Sequence, residues 1–224
     1  MEGDRVTLDV VVLVVAKAPV PGFAKTRLAS EMGDVRAAEL AAASLLDTLA
    51  AVEAADVMHR VVAMTGDLDK AVGNGDISAA LGGFTVISQR GDGLAERLVN
   101  AHADAYAMFG VPILQIGMDT PQVSAALLEE SAATLTRNEQ CVLGPAEDGG
   151  WWVLGVPDAA AAEAILSVPM SRPDTGRLTR DALVASGMEV VDLPMLRDID
   201  YAADVAPVAA LCSASSRFRA VSGC

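Results

Sequence analysis

Seven short apolar runs recur along the chain, and most of the segments between them carry apolar residues at helical spacing. The runs are continuous in Val, Ile and Leu, which is typical of strands covered by helices on both faces. The predicted strands are Val10–Val15, His59–Met64, Phe84–Ile87, Pro112–Ile116, Gln140–Leu143, Trp151–Gly155 and Met188–Leu193. This alternation predicts an α/β fold in which a mostly parallel sheet lies between two layers of helices.

Residue spacing predicts the helices between these strands. Asp34 is placed to cap a helix whose apolar face includes Leu45, Leu49 and Val52. A second helix follows from apolar residues spaced three or four apart, at Leu94, Leu98, Ala101, Ala105 and Met108. Further helices are predicted at Val123–Leu135, Ala159–Leu166, Leu178–Ser186 and Tyr201–Leu211.

The length of 224 residues suits one α/β domain, which is expected to cover residues 1–211. Hydrophobic residues make up 52% of the chain and aromatic residues only 4%, so Ala, Val and Leu must fill most of the core. The small residues that follow the last predicted helix indicate a poorly ordered tail over residues 212–224.

The net charge and the cysteine content exclude several classes of binding partner and metal site. The net charge of −14 argues against nucleic acid or an anionic membrane as the partner, because both require broad cationic surfaces. Cys141, Cys212 and Cys224 are too few and too scattered for a disulfide framework or a zinc site. The first apolar run is too short to span a bilayer and lacks the flanks of a signal peptide. The chain is therefore predicted to be cytoplasmic.

The loop Lys17–Arg27 directly follows the first predicted strand and holds three cations and no anion. Ligands of parallel α/β sheets bind at the carboxyl ends of strands, so a basic loop at this position predicts phosphate binding. The residues assigned to phosphate are Lys17, Pro21, Gly22, Lys25, Thr26 and Arg27. The spacing is not that of a Walker A motif. The alternative is a solvated basic loop whose cations bind nothing.

Acidic residues follow three later strands. Asp119 lies just after the fourth predicted strand, Asp148 lies in the Gly-rich turn between the fifth and sixth, and Asp198 follows the seventh. Carboxylates at these positions could hold Mg²⁺ or Mn²⁺ against the phosphates of a ligand. Structural roles in turns are the alternative for each of them. Asp200, two residues after Asp198, is expected instead to cap the helix that starts at Tyr201.

Glycines near two of these positions extend the candidate site. The segment Gly91–Arg97 resembles half of a dinucleotide fingerprint, but Glu96 replaces the third glycine, which disfavours a NAD site. Gly93 and Glu96 are assigned to the nucleotide instead, with Arg97 as the alternative to Glu96. Gly149, Gly150 and Trp151 are assigned to the pocket of an acceptor. The two histidines, His59 and His102, have no nearby ligand spacing and are expected to be structural.

Five ordered segments resemble the DUF2064 family of glycosyltransferase-A-like proteins. They are Lys17–Leu28, Gly93–Leu98, Gly117–Pro121, Leu143–Gly155 and Leu196–Asp204. The resemblance implies the nucleotide-diphospho-sugar transferase fold, a Rossmann-like three-layer α/β/α sandwich. More distantly, the layout is similar to the phospholactate and molybdenum-cofactor guanylyltransferases. The resemblance also implies that Lys17, Lys25 and Arg27 bind phosphates, and that Asp119 takes the place of the metal-binding acid.

These features predict a transferase that depends on Mg²⁺ or Mn²⁺ and uses a nucleotide-activated donor. Glycosyl transfer from an NDP-sugar and nucleotidyl transfer from an NTP both fit, with Lys25, Asp119 and Asp148 as catalytic residues and a small molecule as acceptor. The alternative is a regulatory nucleotide-binding protein that has lost catalysis, in which some of the acids would be missing. The sequence leaves open the base, the sugar, the acceptor and the oligomeric state.

Overall fold

A seven-stranded sheet forms the centre of the computed structural model, which describes residues 7–137 and 140–223. The strands are β1 (Leu8–Lys17), β2 (Val57–Thr65), β3 (Thr85–Ser88), β4 (Ile113–Gly117), β5 (Cys141–Pro145), β6 (Trp151–Val156) and β7 (Val190–Asp192). Their order across the sheet is β3-β2-β1-β4-β6-β5-β7. Only β6 runs against its neighbours, pairing antiparallel with β4 and β5. The predicted mostly parallel sheet is confirmed, and each predicted strand overlaps an observed one.

Helices cover both faces of this sheet. They are α1 (Thr26–Met32), α2 (Asp34–Ala54), α3 (Asn74–Ala80), α4 (Leu94–Phe109), α5 (Ala125–Arg137), α6 (Ala159–Ala162), α7 (Thr175–Ala185), α8 (Ala202–Leu211) and α9 (Arg217–Ser222). Helices α2, α3 and α5 pack on one face, and α4, α6 and α7 pack on the other. Along β1, Val12 and Val14 belong to the first core and Val11 and Leu13 to the second. The predicted three-layer architecture is therefore confirmed. No helix of the described segments is long and apolar enough to cross a membrane.

The start of α2 differs from the sequence prediction. Asp34 was expected to cap this helix, but it is the first helical residue, and Gly33 occupies the capping position without any side-chain hydrogen bond. The physical reason is the preceding helix α1, which the sequence analysis did not predict. Gly33 ends α1 by donating its N–H to Ala29, and its φ of 84° turns the chain directly into α2. The single residue between the helices leaves no place for an aspartate cap.

The C-terminal segment also differs from the expected disordered tail. Residues 217–222 form α9, and the Phe218 side chain is fully buried in a small third core with residues of α1, α2 and α8. The Asp47 carboxylate on α2 accepts hydrogen bonds from the Ser216 hydroxyl and from the backbone N–H groups of Arg217 and Phe218. One buried aromatic ring and one largely buried carboxylate thus order a segment whose composition is otherwise typical of a tail.

Candidate functional site

A cleft of about 470 Å³ lies at the carboxyl ends of β1 and β4. The first-strand loop, the start of α4, the turn between β5 and β6 and the segments around 171 and 199 all contribute to its walls. The predicted site residues that line it are Lys17, Lys25, Thr26, Arg27, Asp119, Asp148, Gly150, Trp151 and Asp198. Parallel topology explains this convergence, because strands that run in the same direction end at one edge of the sheet.

The first-strand loop places its cations in the cleft. Lys17 is the last residue of β1, and its ammonium group lies 4.1 Å from the ring centroid of Phe23. Lys25 has a left-handed backbone with φ 53° and is the N-cap residue of α1. Such a conformation in a residue other than glycine costs free energy and is concentrated at functional sites. Pro21 and Gly22 are exposed and lie outside the cleft lining, where they shape the turn before Lys25.

Lys25 is the centre of an ion-pair network. Its Nζ atom lies 2.7 Å from Asp119 Oδ2 and 3.1 Å from Asp200 Oδ1, and its side chain is only 10% exposed. Arg27 binds the second oxygen of Asp200 at 2.7 Å. Burial alone would lower the pKa of Lys25, but the two carboxylates outweigh burial and hold this pKa above its ordinary value. Lys25 is therefore a protonated cation in the cleft at neutral pH.

Three carboxylates form a compact acidic cluster that contacts the first-strand loop through Asp200. Asp148, Asp198 and Asp200 each present one oxygen, and these atoms all lie within 4.8 Å of one another. Burial, together with repulsion from Asp148 and Asp200, raises the pKa of Asp198 to about 6. Burial would also raise the pKa of Asp200, but Lys25 and Arg27 hold it below its usual value. A set of hard carboxylate oxygens fits Mg²⁺ or Mn²⁺.

Asp119 and Asp200 differ from their expected places. Asp119 lies in the cleft, but its carboxylate forms an ion pair with Lys25 and is not one of the three acids of the cluster. Asp200 was expected to cap the helix at Tyr201, yet its carboxylate binds Lys25 and Arg27. Asp204 takes the capping role instead, because its carboxylate accepts the backbone N–H groups of Asp200 and Tyr201.

The three residues assigned to an acceptor separate into two roles. Gly150 and Trp151 line the cleft, whereas Gly149 does not. Gly149 has φ 89°, and a Cβ atom there would collide with the carbonyl oxygen of Pro173. Its own carbonyl accepts the N–H of Gly176. Gly149 therefore packs the segment that precedes α7 against the β5–β6 turn, which forms one wall of the cleft.

Of the residues assigned at the start of α4, Arg97 is the one that lines the cleft. Gly93 is the N-cap residue, and the Glu96 carboxylate accepts the N–H of Asp92, so both stabilise the turn and neither lines the cleft. Leu94 and Leu98 line it together with Arg97. Their spacing of three and four residues puts all three on the helix face of the buried Leu98, which is the signal that could have identified the two leucines.

Two glutamines of the cleft lining were not among the predicted site residues. Gln89 follows β3 and donates from its side-chain amide to the carbonyls of Ala16 and Ala63. Gln115 lies within β4, is only 2% exposed and contacts the buried His102. The sequence signal for Gln115 was a polar residue inside a continuous apolar strand. A buried amide needs hydrogen-bond partners, so such a residue indicates a polar contact within the core.

Burial of His102 predicts a specific loss of stability in acid. Burial outweighs the hydrogen bond with Gln115 and lowers the pKa of His102 to about 4, whereas an unfolded histidine titrates near 6.5. Below pH 6.5 the unfolded chain binds a proton that the folded protein refuses, so this contribution to stability is lost as the pH falls. We expect His102→Gln to remove about 2 kcal/mol of the stability difference between pH 8 and pH 5. Urea unfolding of both proteins at both pH values measures this, and equal pH dependence would contradict it.

Comparisons with known proteins support the fold and the family. The sequence pattern of a family described as "uncharacterized protein conserved in bacteria" (DUF2064) matches residues 48–172. A search of curated proteins found no match. The resemblance expected from the five motifs is thereby confirmed.

Several solved structures share the fold. A protein from Desulfovibrio desulfuricans G20, provisionally assigned as a nucleotide-diphospho-sugar transferase, has a TM-score of 0.82 and 24% identity over 95% of this chain and 93% of its own. The 4-diphosphocytidyl-2C-methyl-D-erythritol synthase from Anaerococcus prevotii DSM 20548 has a TM-score of 0.57 and 13% identity, covering 90% and 97%. A CMP:2-keto-3-deoxy-manno-octonic acid synthetase complexed with CTP has a TM-score of 0.53 and 12% identity, covering 91% and 98%.

Proposed function

The chain belongs to the DUF2064 family, and from this premise and the geometry of the cleft we propose that it is a transferase that uses a nucleotide-activated donor and a divalent cation. One observation carries the proposal. The cations of the first-strand loop and the three-carboxylate cluster meet in one cleft, where Lys25 and Arg27 contact the cluster through Asp200. A donor diphosphate bound with its cation requires this combination of opposite charges.

The cationic side of the cleft would bind the phosphates. Lys17, Lys25 and Arg27 all line this side of the cleft. Each contact from one of them to a phosphate oxygen would be a charge-assisted hydrogen bond. In the free protein, Lys25 forms ion pairs with Asp119 and Asp200. A bound phosphate would compete with these carboxylates for the hydrogen-bond donors of the Lys25 ammonium group. The loop would thereby stabilise negative charge that develops on the leaving group.

The acidic side would hold Mg²⁺ or Mn²⁺ through Asp148, Asp198 and Asp200. Asp119 lines the same cleft and forms an ion pair with Lys25. A bound cation would neutralise the donor phosphates and act as a Lewis acid on the leaving group. Asp148 is oriented for this role because its Oδ1 atom accepts the N–H of Gly150 at 2.7 Å. Trp151 and Gly150 border the same cleft and would contact the acceptor, a small molecule.

Two reactions fit this arrangement. Three cations on the first-strand loop favour nucleotidyl transfer, in which pyrophosphate leaves an NTP. The likeness in fold to a protein provisionally assigned as a nucleotide-diphospho-sugar transferase favours glycosyl transfer, in which a nucleoside diphosphate leaves. A regulatory protein without catalysis is the weaker alternative, because the acids at 119, 148, 198 and 200 are all in the cleft.

A thermal-shift screen tests the proposal and separates the reactions. The four common NTPs and a panel of NDP-sugars are each added with Mn²⁺ and, as the matched control, with excess chelator. Stabilisation by NTPs alone supports nucleotidyl transfer, and stabilisation by NDP-sugars alone supports glycosyl transfer. A ligand that stabilises equally with chelator contradicts the metal site. No stabilisation by any of these ligands contradicts the proposed function.

A further inference from the structure

Gln115 is a buried amide at the floor of the cleft. It lies in the middle of β4 between two fully buried residues, Leu114 and Ile116, and its own exposure is 2%. It nevertheless lines the cleft that holds the loop cations and the acids. An amide at such a position has donors on one side and an acceptor on the other, so its orientation decides what the cleft offers to a ligand.

His102 fixes that orientation from beneath the floor. Its Nε2 atom lies 3.1 Å from Oε1 of Gln115, and the ring is completely buried. Nδ1 has no partner among the described residues, and a bare acceptor there is less costly than an unpaired N–H would be, so the neutral ring carries its proton on Nε2. An N–H at Nε2 can only donate, which orients Gln115 with its amide oxygen toward His102. With its oxygen engaged, Gln115 has its amide N–H groups left for the cleft.

Gln89 is oriented the other way round from Gln115, with its amide nitrogen engaged and its oxygen left for the cleft. Its Nε2 atom donates to the backbone oxygens of Ala16 and Ala63, both at 2.8 Å. Only the amide nitrogen can donate to two carbonyls, so these contacts determine which end of the side chain is which. Both donor hydrogens are used, and the group that Gln89 has left for the cleft is its carbonyl oxygen.

We propose that His102 is a positioning residue that acts through Gln115, and that Gln115 and Gln89 form a fixed donor–acceptor pair that selects the uncharged part of the ligand. The ligand must present an acceptor, such as a carbonyl, hydroxyl or ring nitrogen, to Gln115 and an N–H or O–H to Gln89. The identification of this ligand as a nucleotide-activated donor rests on the proposed function. A fixed amide rejects the mismatched group because a buried donor or acceptor would then be left unpaired.

A double-mutant cycle tests the coupling. The variants are Gln115→Met, which keeps the volume but removes the amide, His102→Leu, and the pair, with calorimetric binding of CTP, GTP, ATP and UTP in Mg²⁺ as the probe. We expect Gln115→Met to weaken the best-bound nucleotide about tenfold, and His102→Leu to weaken it several-fold. The double variant should bind as Gln115→Met does, because His102 acts only through Gln115. Multiplying effects, or unchanged affinity in His102→Leu, would overturn the proposal.

A conservative variant separates positioning from a merely structural role. In His102→Gln, an amide N–H can replace the imidazole donor, so we expect this variant to retain most of the affinity that His102→Leu loses. If both variants lose equal affinity while their unfolding free energies differ, the role is structural and the proposal fails.

Nitrogen NMR of the ligand-free protein keeps this test independent of the proposed function. We expect the imidazole to be the Nε2–H tautomer, and the Gln115 side-chain amide signals to shift in His102→Leu but not in the surface variant Lys70→Ala. An Nδ1–H tautomer, or unaltered Gln115 signals, would overturn the positioning role even if no nucleotide binds. Absence of nucleotide binding with the expected NMR result would contradict the proposed function and the selection of a nucleotide, and leave the positioning role supported.

Discussion

Replacing Lys25 with alanine should weaken the binding of a Mg²⁺–nucleoside triphosphate by about a hundredfold. The variant loses a charge-assisted contact to phosphate, which is worth roughly 1.5–3 kcal/mol. It also leaves Asp119 and Asp200 without the cation that bridges them, so two carboxylates then repel the incoming phosphates. These effects add, which places the expected loss at the upper end of the range. Isothermal calorimetry with the best-bound nucleotide of the thermal-shift screen measures it.

The matched control for this prediction is Lys70→Ala. Lys70 pairs with Asp67 at 2.9 Å on the surface, and neither residue lines the cleft. Its loss removes the same charge and leaves the cleft unchanged, so the affinity should stay within about twofold of the original protein. If Lys25→Ala binds as tightly as the control, the first-strand loop does not hold phosphate.

Strand topology explains why so much of the candidate site was predictable from the sequence. Continuous apolar runs predicted parallel strands, and parallel strands end at one edge of a sheet. Lys25, Asp119, Asp148 and Asp198 were each placed in a segment that follows a predicted strand, and all of them line one cleft. Their chemical roles remain predictions, but their convergence follows from topology alone.

Contacts between distant segments explain what the sequence did not reveal. Asp200 was interpreted as a helix cap by local spacing, and Asp204, which lies at the third helical position, was the better candidate for that role. The partner of the Asp200 carboxylate is Lys25, which is 175 residues earlier in the chain. No periodicity or local propensity encodes such a pair. The contact between His102 and Gln115 joins a helix to the strand that follows it, and local spacing does not encode that pair either.

The tail was misjudged for a related reason. The prediction for residues 212–224 rested on their many small residues, among which Phe218 is a single large apolar side chain. That ring fills a space between α2 and α8, and Asp47 accepts the first N–H groups of α9. Tertiary packing therefore outweighed local composition, as it does for most short helices.

Replacing Asp198 with asparagine should change stability and metal binding in opposite directions. Without a divalent cation, burial of Asp198 and repulsion from Asp148 and Asp200 raise its pKa to about 6 from an unfolded value of 3.8. The folded state therefore prefers the protonated form, and deprotonation costs stability as the pH rises from about 4 to 6. Asparagine removes this cost. We expect its metal-free unfolding free energy to be higher by about 1 kcal/mol at pH 8, after allowance for solvent screening of a partly exposed group.

The same substitution should abolish the stabilisation that Mg²⁺ or Mn²⁺ confers. A cation that binds only the folded protein raises its stability by an amount that depends on the ratio of ligand concentration to Kd. Asparagine removes one charge from a cluster of three carboxylates, so the affinity for the cation should fall by a hundredfold or more. Urea unfolding at pH 8, with and without about 10 mM Mg²⁺, measures both effects in one experiment. This concentration is in excess of physiological Mg²⁺.

Asp181→Asn is the matched control, because Asp181 is an exposed carboxylate on α7 that pairs with Arg177 and belongs neither to the cluster nor to the cleft lining. It should leave the response to Mg²⁺ intact and change the metal-free stability by less than about 0.5 kcal/mol. A structural acid would behave in the opposite way to the prediction for Asp198, because its loss would destabilise the metal-free protein. Lower stability of Asp198→Asn, together with an intact Mg²⁺ response, would therefore remove Asp198 from the metal site. A gain in stability with loss of the Mg²⁺ response is the signature of charges held together at a cost in order to bind a cation.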